Sequence, residues 1–247
     1  MKYHSADKLV QKAAKYDLLA SYYKYIDPAK HIHYYQKHFY CMQQLMTGGY
    51  YRPAAYNAMV RVFHASPDAP AVDVYINGQR AIRDLTFKEK SDYFSFQEGS
   101  YQIQIYPAGN TNQPVLTETI SVEAGKMYTV AAAGKLEELK LITAFDTESV
   151  PRNKTKVRFW HLSPDAPAVD VAVRGGEVLF RNVPFGKATR YLKLDPTTVD
   201  LEVRIAGTET VVLTIPNVRL KANKAYTAVA VGLAKGTPEL QAMFLKP

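Results

Sequence analysis

One stretch of this chain is written twice. "VRVFHASPDAPAVDVYINGQ" begins at Val60 and "VRFWHLSPDAPAVDVAVRGG" at Val157. His64 aligns with His161, Asp68 with Asp165 and Asp73 with Asp170, all 97 residues apart. Phe87 aligns with Phe185, Tyr93 with Tyr191, Tyr128 with Tyr226 and Gly134 with Gly232, all at 98. One residue is therefore added near Gly175-Gly176, and the register is expected to hold from there to the end. Solenoid repeats run to about 20–50 residues. This longer period is a duplicated domain, so the 247 residues must supply two like modules behind a unique N-terminal segment.

Each copy reads as strands. "VDVYI" alternates Val72, Val74 and Ile76 with Asp73 and Tyr75, then stops at Asn77-Gly78, a hairpin signal. "MVRVFHA", "SDYFSF", "SYQIQIYPAG", "TETISVEAG", "MYTVAAAG" and "LKLITAF" bring the number of short strands in a copy to about seven. The pattern predicts a mainly β chain with two tandem antiparallel β-sandwiches. The N-terminal segment breaks from it. Leu9, Ala13, Tyr16, Ala20 and Tyr23 recur at helical spacing after Ser5, the expected N-cap. A second helix starts with Asp27 as cap and Pro28 at its first position, and Gly48-Gly49 is expected to end it. The expected organisation is a Tyr-rich α-helical hairpin (1–50), a linker (51–57), a first sandwich (58–148), a linker (149–156) and a second sandwich (157–247).

The constellation that recurs is His64, Ser66, Pro67, Asp68, Pro70 and Asp73, with counterparts His161, Ser163, Pro164, Asp165, Pro167 and Asp170. Val60, Val62 and His64 share one strand face, which puts the imidazole at the core-facing end of its strand. Two prolines and an Asp in five residues make a rigid corner. A hydrogen-bonded structural histidine is the simplest reading. A metal site from His64, Asp68 and Asp73 competes with it, because imidazole and carboxylate suit several metals. Against that, Asp73 points to the opposite face from Val72 and Val74. A Ser–His–Asp triad is a matter of geometry, and Ser66 is already explained as a turn residue. The chain has no nucleophile elbow and no phosphate-cradling glycine loop. No catalytic, cofactor-binding or metal-ligating residue is assigned. Tyr128 and Tyr226, each just after a turn, are candidates for tyrosine corners. His31, His33 and His38 contain no pair three or four residues apart, so the second helix offers no chelating pair.

The net charge of +8 is uneven: +5 over residues 1–56, −4 over 57–148 and +7 over 149–247. Such asymmetry suits an anionic polymer, or contact between an acidic and a basic module. "RNKTKVRFWH" interleaves basic and aromatic residues as nucleic-acid surfaces do. Val157 and Phe159 are needed for the core, however, which leaves Arg158 and Trp160 on an expected solvated strand edge, and nucleic acid is not the expected partner. Eleven of the 18 tyrosines lie in residues 1–56. A two-helix hairpin has no core of its own, so Tyr16, Tyr23, Tyr34 and Tyr35 are an expected interface for self-association or another protein. No apolar run approaches a membrane span, and the N-terminus has no apolar signal-peptide stretch. The chain is expected to be cytoplasmic as synthesised, or to reach a bacterial envelope or spore layer by another route. Cys41, the single cysteine, allows neither a disulfide framework nor a cysteine zinc site.

"VRVFHASPDAPAVDVYING", followed by "SDYFSFQEGSYQIQIYPAG" and "VEAGKMYTVAAAG", resembles the bacterial DUF4397 domain, a domain of unknown function. "VRFWHLSPDAPAVDVAVRGG" with "NKAYTAVAVG" resembles it again, and the resemblance runs over residues 58–247. It implies an immunoglobulin-like or transthyretin-like β-sandwich, often found in tandem in surface or secreted bacterial proteins. It brings no activity and no catalytic residues. The second copy departs from it in "DPTTVDLEVRIAG", which lacks the glycine of Glu98-Gly99-Ser100. It also has Ala222-Asn223 for Ala124-Gly125, where Asn can take the same left-handed turn. The expected function is that of a non-enzymatic structural or binding protein. The rivals are a metal-dependent or hydrolytic enzyme using the His/Asp corners and an anionic-polymer binder using the basic C-terminal module.

Overall fold

The computed structural model describes residues 3–47 and 57–247, which fall into a helical unit ending by Tyr56 and a β unit from Asn57. In the helical unit, α1 (Tyr3–Tyr23) and α2 (Pro28–Thr47) form a hairpin. α1 begins two residues before Ser5, which therefore lies inside the helix rather than capping it. No Gly or Pro precedes Ser5 to stop the helix extending backward. Asp27 does cap α2: its Oδ1 accepts the Lys30 amide at 3.1 Å, and Pro28 fills the first position, where a missing N–H costs nothing. Gly48-Gly49 and the linker up to Tyr56 lie outside the described residues.

The β unit holds eight strands per copy, one more than the sequence pattern suggests. The first copy contains β1 (Ala58–His64), β2 (Val72–Ile76), β3 (Gln79–Leu85), β4 (Phe94–Phe96), β5 (Gly99–Pro107), β6 (Leu116–Val122), β7 (Met127–Ala133) and β8 (Lys140–Asp146). The second contains β9 (Thr155–His161), β10 (Val169–Val173), β11 (Val178–Val183), β12 (Leu192–Leu194), β13 (Thr197–Ile205), β14 (Val211–Leu220), β15 (Lys224–Val231) and β16 (Gln241–Leu245). Four sheets run β3-β2-β5-β6, β4-β1-β7-β8, β12-β9-β15-β16 and β11-β10-β13-β14. The overlooked strand is β3, an edge strand whose "QRAIRDL" is mostly exposed and shows no alternation. The sandwiches are also not wholly antiparallel, since β1 pairs with β7, and β9 with β15, in parallel. Those partners are distant in sequence, so no tight turn dictates their sense.

Turn chemistry explains the differences between copies. Asn77 and Gly78 both have positive φ (49° and 79°), the mirror-image turn that suits a two-residue hairpin. The added residue makes the second hairpin a three-residue loop, Arg174-Gly175-Gly176, with Gly175 at φ 67°. Asn223, in place of Gly125, takes φ 60°. The register does not hold to the end, however. Ala133 pairs with Lys140, seven residues on, whereas Val231 pairs with Gln241, ten residues on. The last loop of the second copy is thus three residues longer, in a stretch where sequence similarity has faded.

Each sandwich has its own apolar core, around Val62, Val74 and Ile105 in one and Phe159, Val171 and Val203 in the other. A third cluster joins them. Phe63, Ala131 and Ala144 meet Trp160, Val229 and Leu245, so the two middle sheets pack face to face and the β unit is four layers deep. β7 and β15 are therefore buried on both faces, which is why "YTVAAA" and "AYTAVAV", broken only by the buried Thr129 and Thr227, are near-continuous apolar runs rather than alternating ones. Arg158 and Trp160, expected on a solvated edge, lie in this seam at 3% and 0% exposure, because β9 is an interior strand whose outer face is covered by the other sandwich.

The seam also buries charge. The Arg158 Nη2 donates to Asp146 Oδ1 at 2.6 Å, and Arg61 Nη2 lies 3.6 Å from Asp146 Oδ2. The two arginines are related by the repeat. Each donates through Nε to a threonine, Thr129 or Thr227, and through Nη1 to a carbonyl of the other sandwich, Lys246 or Phe145. Each guanidinium stands 4.6 Å from a tyrosine ring centroid, Tyr93 or Tyr191. Tyr93 also donates to Asp146 Oδ2 at 2.6 Å; burial first, and that carboxylate second, push its hydroxyl well above the usual phenol range. One carboxylate thus offsets two buried cations. Replacing it with Asn leaves both guanidiniums uncompensated, and urea denaturation of Asp146→Asn should show a loss of about 3–5 kcal/mol. The triple variant Arg61→Met, Arg158→Met, Asp146→Leu should recover most of that loss. Near-equal stabilities for wild type and Asp146→Asn would show that the cluster does not hold the seam.

Candidate functional site

The repeated corner is built around its histidine. His64 stands at the end of β1 with 1% exposure, and its Nε2 donates to the Pro70 carbonyl at 3.0 Å; His161 does the same to Pro167 at 3.0 Å. The ring therefore ties the far end of the corner back to the strand that opens it. Ser66 Oγ donates to Asp68 Oδ1 at 3.3 Å and Ser163 Oγ to Asp165 Oδ1 at 3.4 Å, not to the imidazoles. The same aspartates reach across to the loop before the last strand. Asp68 accepts the Leu136 amide at 2.9 Å, and Asp165 accepts those of Ala234 and Lys235 at 2.7 and 2.9 Å. Pro67 and Pro164 precede these aspartates and keep the corner narrow.

Asp73 and Asp170 face the opposite way and do a different job. Asp73 accepts the Asp84 amide at 2.9 Å, and Asp170 accepts those of Asn182 at 2.6 Å and Gly207 at 3.0 Å. Asp84 (φ 56°) and Asn182 (φ 48°) are left-handed residues at irregularities of the edge strands β3 and β11, so each aspartate pins a bulge. The two donated amides hold the Asp170 carboxyl below its ordinary value. Burial alone would raise Asp165, but its amide donors outweigh that and lower it. Tyr128 and Tyr226 accept the Glu123 and Lys221 amides at 2.9 and 3.2 Å, each five residues upstream.

His64, Asp68 and Asp73 thus share a motif but not a site. Neither serine hydroxyl reaches its histidine; His161 Nδ1 instead accepts the Ser163 backbone amide at 3.3 Å, and no group of three His, Cys, Asp or Glu side chains suited to a metal occurs among the described residues. In the hairpin, His31 Nδ1 donates to the Ala20 carbonyl (2.8 Å) and His38 Nδ1 to the Ala13 carbonyl (3.0 Å), two turns apart. These histidines clamp α2 to α1. His33 lies edge-on to Tyr34 instead.

The surface that stands out is on that hairpin. His31, Tyr34, His38, Cys41 and Leu45 form the seam of α2 that meets α1. One residue further round, Ile32, Tyr35, Phe39, Met42 and Met46 repeat the same 3–4 spacing, although Met42 also packs against the hairpin core. Of these, Ile32, Tyr35, Phe39 and Met46 are exposed by 55–65%. On α1, Val10, Leu18 and Tyr22 are also exposed. Of the tyrosines named from the sequence, Tyr34 stacks with both Tyr16 (6.3 Å) and Tyr23 (5.7 Å) within the hairpin, whereas Tyr35 faces solvent. Sequence reasoning missed the second seam, although its heptad spacing was there to be counted.

Residues 58–172 and 172–245 match the profile of a family described as "Domain of unknown function (DUF4397)". No protein of curated function matches the chain. Among solved structures, the C-terminal domain of AlgF from P. aeruginosa is 18% identical, covering 39% of this chain and 100% of that domain at a TM-score of 0.31. A family-26 carbohydrate-binding module of Eubacterium rectale Amy13K, solved with maltoheptaose, is 10% identical over 76% of this chain and 97% of its own, at 0.25. A candidate cell adhesion protein of Bacteroides fragilis is 8% identical over 76% and 97%, at 0.20. At scores this low none of the three bears on the fold or role of this chain.

The corner histidines make a pH prediction. Burial is the main cause that lowers both imidazoles below the ordinary 6.5, against the opposing pull of the proline carbonyls and, at His64, of Glu89. Above pH 6.5 both states are neutral and their contribution to stability is complete. Below it the unfolded chain takes up protons that the folded chain refuses, so stability falls towards the lowered folded values. The slope from these two groups approaches about 2.7 kcal/mol per pH unit. Urea midpoints from pH 7 to 5.5 should fall in the wild type and fall less in His64→Gln/His161→Gln, which keeps an amide donor for each carbonyl. Equal slopes in the two proteins would contradict this.

Proposed function

The chain belongs to the DUF4397 family, and from that premise we propose that it is a non-enzymatic binding and assembly protein whose hairpin joins two copies of the chain. The observation that carries this reading is the second apolar seam on α2. A helix of about 20 residues is some 30 Å long, and a 3–4 seam along it is what one helix presents to another in a bundle. Two hairpins meeting through these seams make a four-helix bundle, which gives the exposed apolar rows the cover that a single hairpin lacks. α2 also suits a self-contact electrostatically. Its only Lys or Arg residues are Lys30 and Lys37, while most of the hairpin's charge lies on α1. The buried, self-bonded corner histidines support the non-enzymatic part. The paired sandwiches then serve as a rigid spacer or recognition body, a role suited to a bacterial envelope or spore layer.

Light scattering after size exclusion tests the assembly. The wild-type chain should run at twice the chain mass and Ile32→Glu/Phe39→Glu as a monomer, with unchanged circular dichroism because both residues are exposed. A wild-type monomer at about 100 μM, weaker than micromolar association by some two decades, would overturn self-association and leave the seam for a different protein.

A further inference from the structure

The two sandwiches differ at one end of their cores. In the first, Phe96 and Tyr101 lie tilted to one another with ring centroids 4.6 Å apart against the core, and the Tyr101 hydroxyl donates to the Gln97 carbonyl at 2.9 Å. The 98-residue spacing puts Leu194 and Val199 at those places in the second. Two rings are gone from the mouth. Aromatic bulk appears elsewhere, as Phe159 and Phe180 where the first copy has Val62 and Ile82. Both are buried, at 0% and 8% exposure.

What results is a cavity of about 300 Å³ between the sheets of the second sandwich. Phe159, Phe180 and Leu201 form its floor, and half-buried Val173, Leu194 and Val199 its mouth. The polar residues around it, Glu177, Asp195 and Thr197, are exposed and stand at the rim. Asp195 is itself held by Lys154 Nζ at 2.6 Å.

We infer that this cavity is a binding site for a small uncharged apolar molecule, an aromatic ring system or a short aliphatic chain, and that Phe96 and Tyr101 take up the equivalent mouth in the first sandwich. The volume falls at the lower end of the range of small-molecule sites, about 300–1,000 Å³. Protein cores are otherwise packed tightly, and an empty apolar space costs stability that an occupant restores. The walls offer water too few partners to hold it well. Among the described residues that line the cavity none is Lys or Arg, so it offers a carboxylate or phosphate headgroup no counter-charge, and the expected ligand is uncharged.

The probe is N-phenyl-1-naphthylamine, an uncharged fluorophore that brightens in apolar surroundings, titrated against the full chain. One saturable site per chain is expected. Leu194→Phe/Val199→Tyr, which transplants the first sandwich's plug, should weaken binding by at least about tenfold, with an unchanged or higher melting temperature. Unweakened binding by the folded plugged variant overturns the proposal. If that variant does not fold, methyl NMR of the wild type decides: probe-induced shifts at Val173, Leu179, Leu194 and Val199 support the site. Shifts confined to the hairpin methyls, such as those of Val10 and Ile32, overturn it.

Discussion

The Asp146 carboxylate lies between two buried guanidiniums, and the architecture of the β unit follows from what that arrangement requires. The repeat brings Arg61 and Arg158 to the same seam from opposite sides. Each caps a carbonyl at the end of the other sandwich, Lys246 for Arg61 and Phe145 for Arg158. Because the last strands are offset by three residues, the position that matches Asp146 in the second copy is Pro247. Duplication therefore supplied two cations and divergence left one anion. Two like charges in a low-dielectric seam are tolerable only with a counter-charge and well-placed acceptors; the threonines and carbonyls supply most of these, while Arg61 Nη2 has only the 3.6 Å approach to Asp146 and no hydrogen bond. The apolar contacts of Phe63 and Trp160 then bury the rest of the seam. Two domains that might have hung on a linker become one four-layer body.

The repeated motif is explained by the same economy of polar groups. A corner with two prolines exposes carbonyls that need donors, and His64 and His161 supply them from inside the core. The aspartate inside the corner ties it to the loop before the last strand, and the aspartate after it pins the bulge of the edge strand. Both aspartates of S-P-D-A-P-A-V-D-V thus answer a backbone demand, and the serine hydroxyl bonds the first of them. The motif's duplication with the domain requires no chemistry beyond folding.

Much of this was legible in the sequence. Alternation in "VDVYI", the Asn77-Gly78 turn and the 97–98 spacing gave the sandwiches and their order, and Asp27-Pro28 gave the start of α2. Three features escaped for physical reasons. β3 and β11 are edge strands whose burial does not alternate, held by pairing and a pinned bulge. The seam between sandwiches made Arg158 and Trp160 look solvated, because a one-strand reading assumes that a sheet has one dry face. Its trace was the near-continuous apolar run of β7 and β15. The spacing of the hairpin histidines spoke against a shared metal, but their role as two separate clamps on the facing helix needs the carbonyls of Ala20 and Ala13 in place. The cavity of the second sandwich came into view only when the two copies were compared position by position.

Trp160 is the single tryptophan of the chain and sits, fully buried, in the seam between the sandwiches. Its fluorescence reports the union of the two modules, while far-UV circular dichroism reports the strands themselves. A urea titration followed by both signals tests the central claim that the duplicated sandwiches are one body. Coincident midpoints and slopes are expected, because separation of the seam and loss of the sheets are a single event. Exposure of Trp160 at a lower urea concentration than the loss of β signal would contradict the account, showing two sandwiches that part before either unfolds.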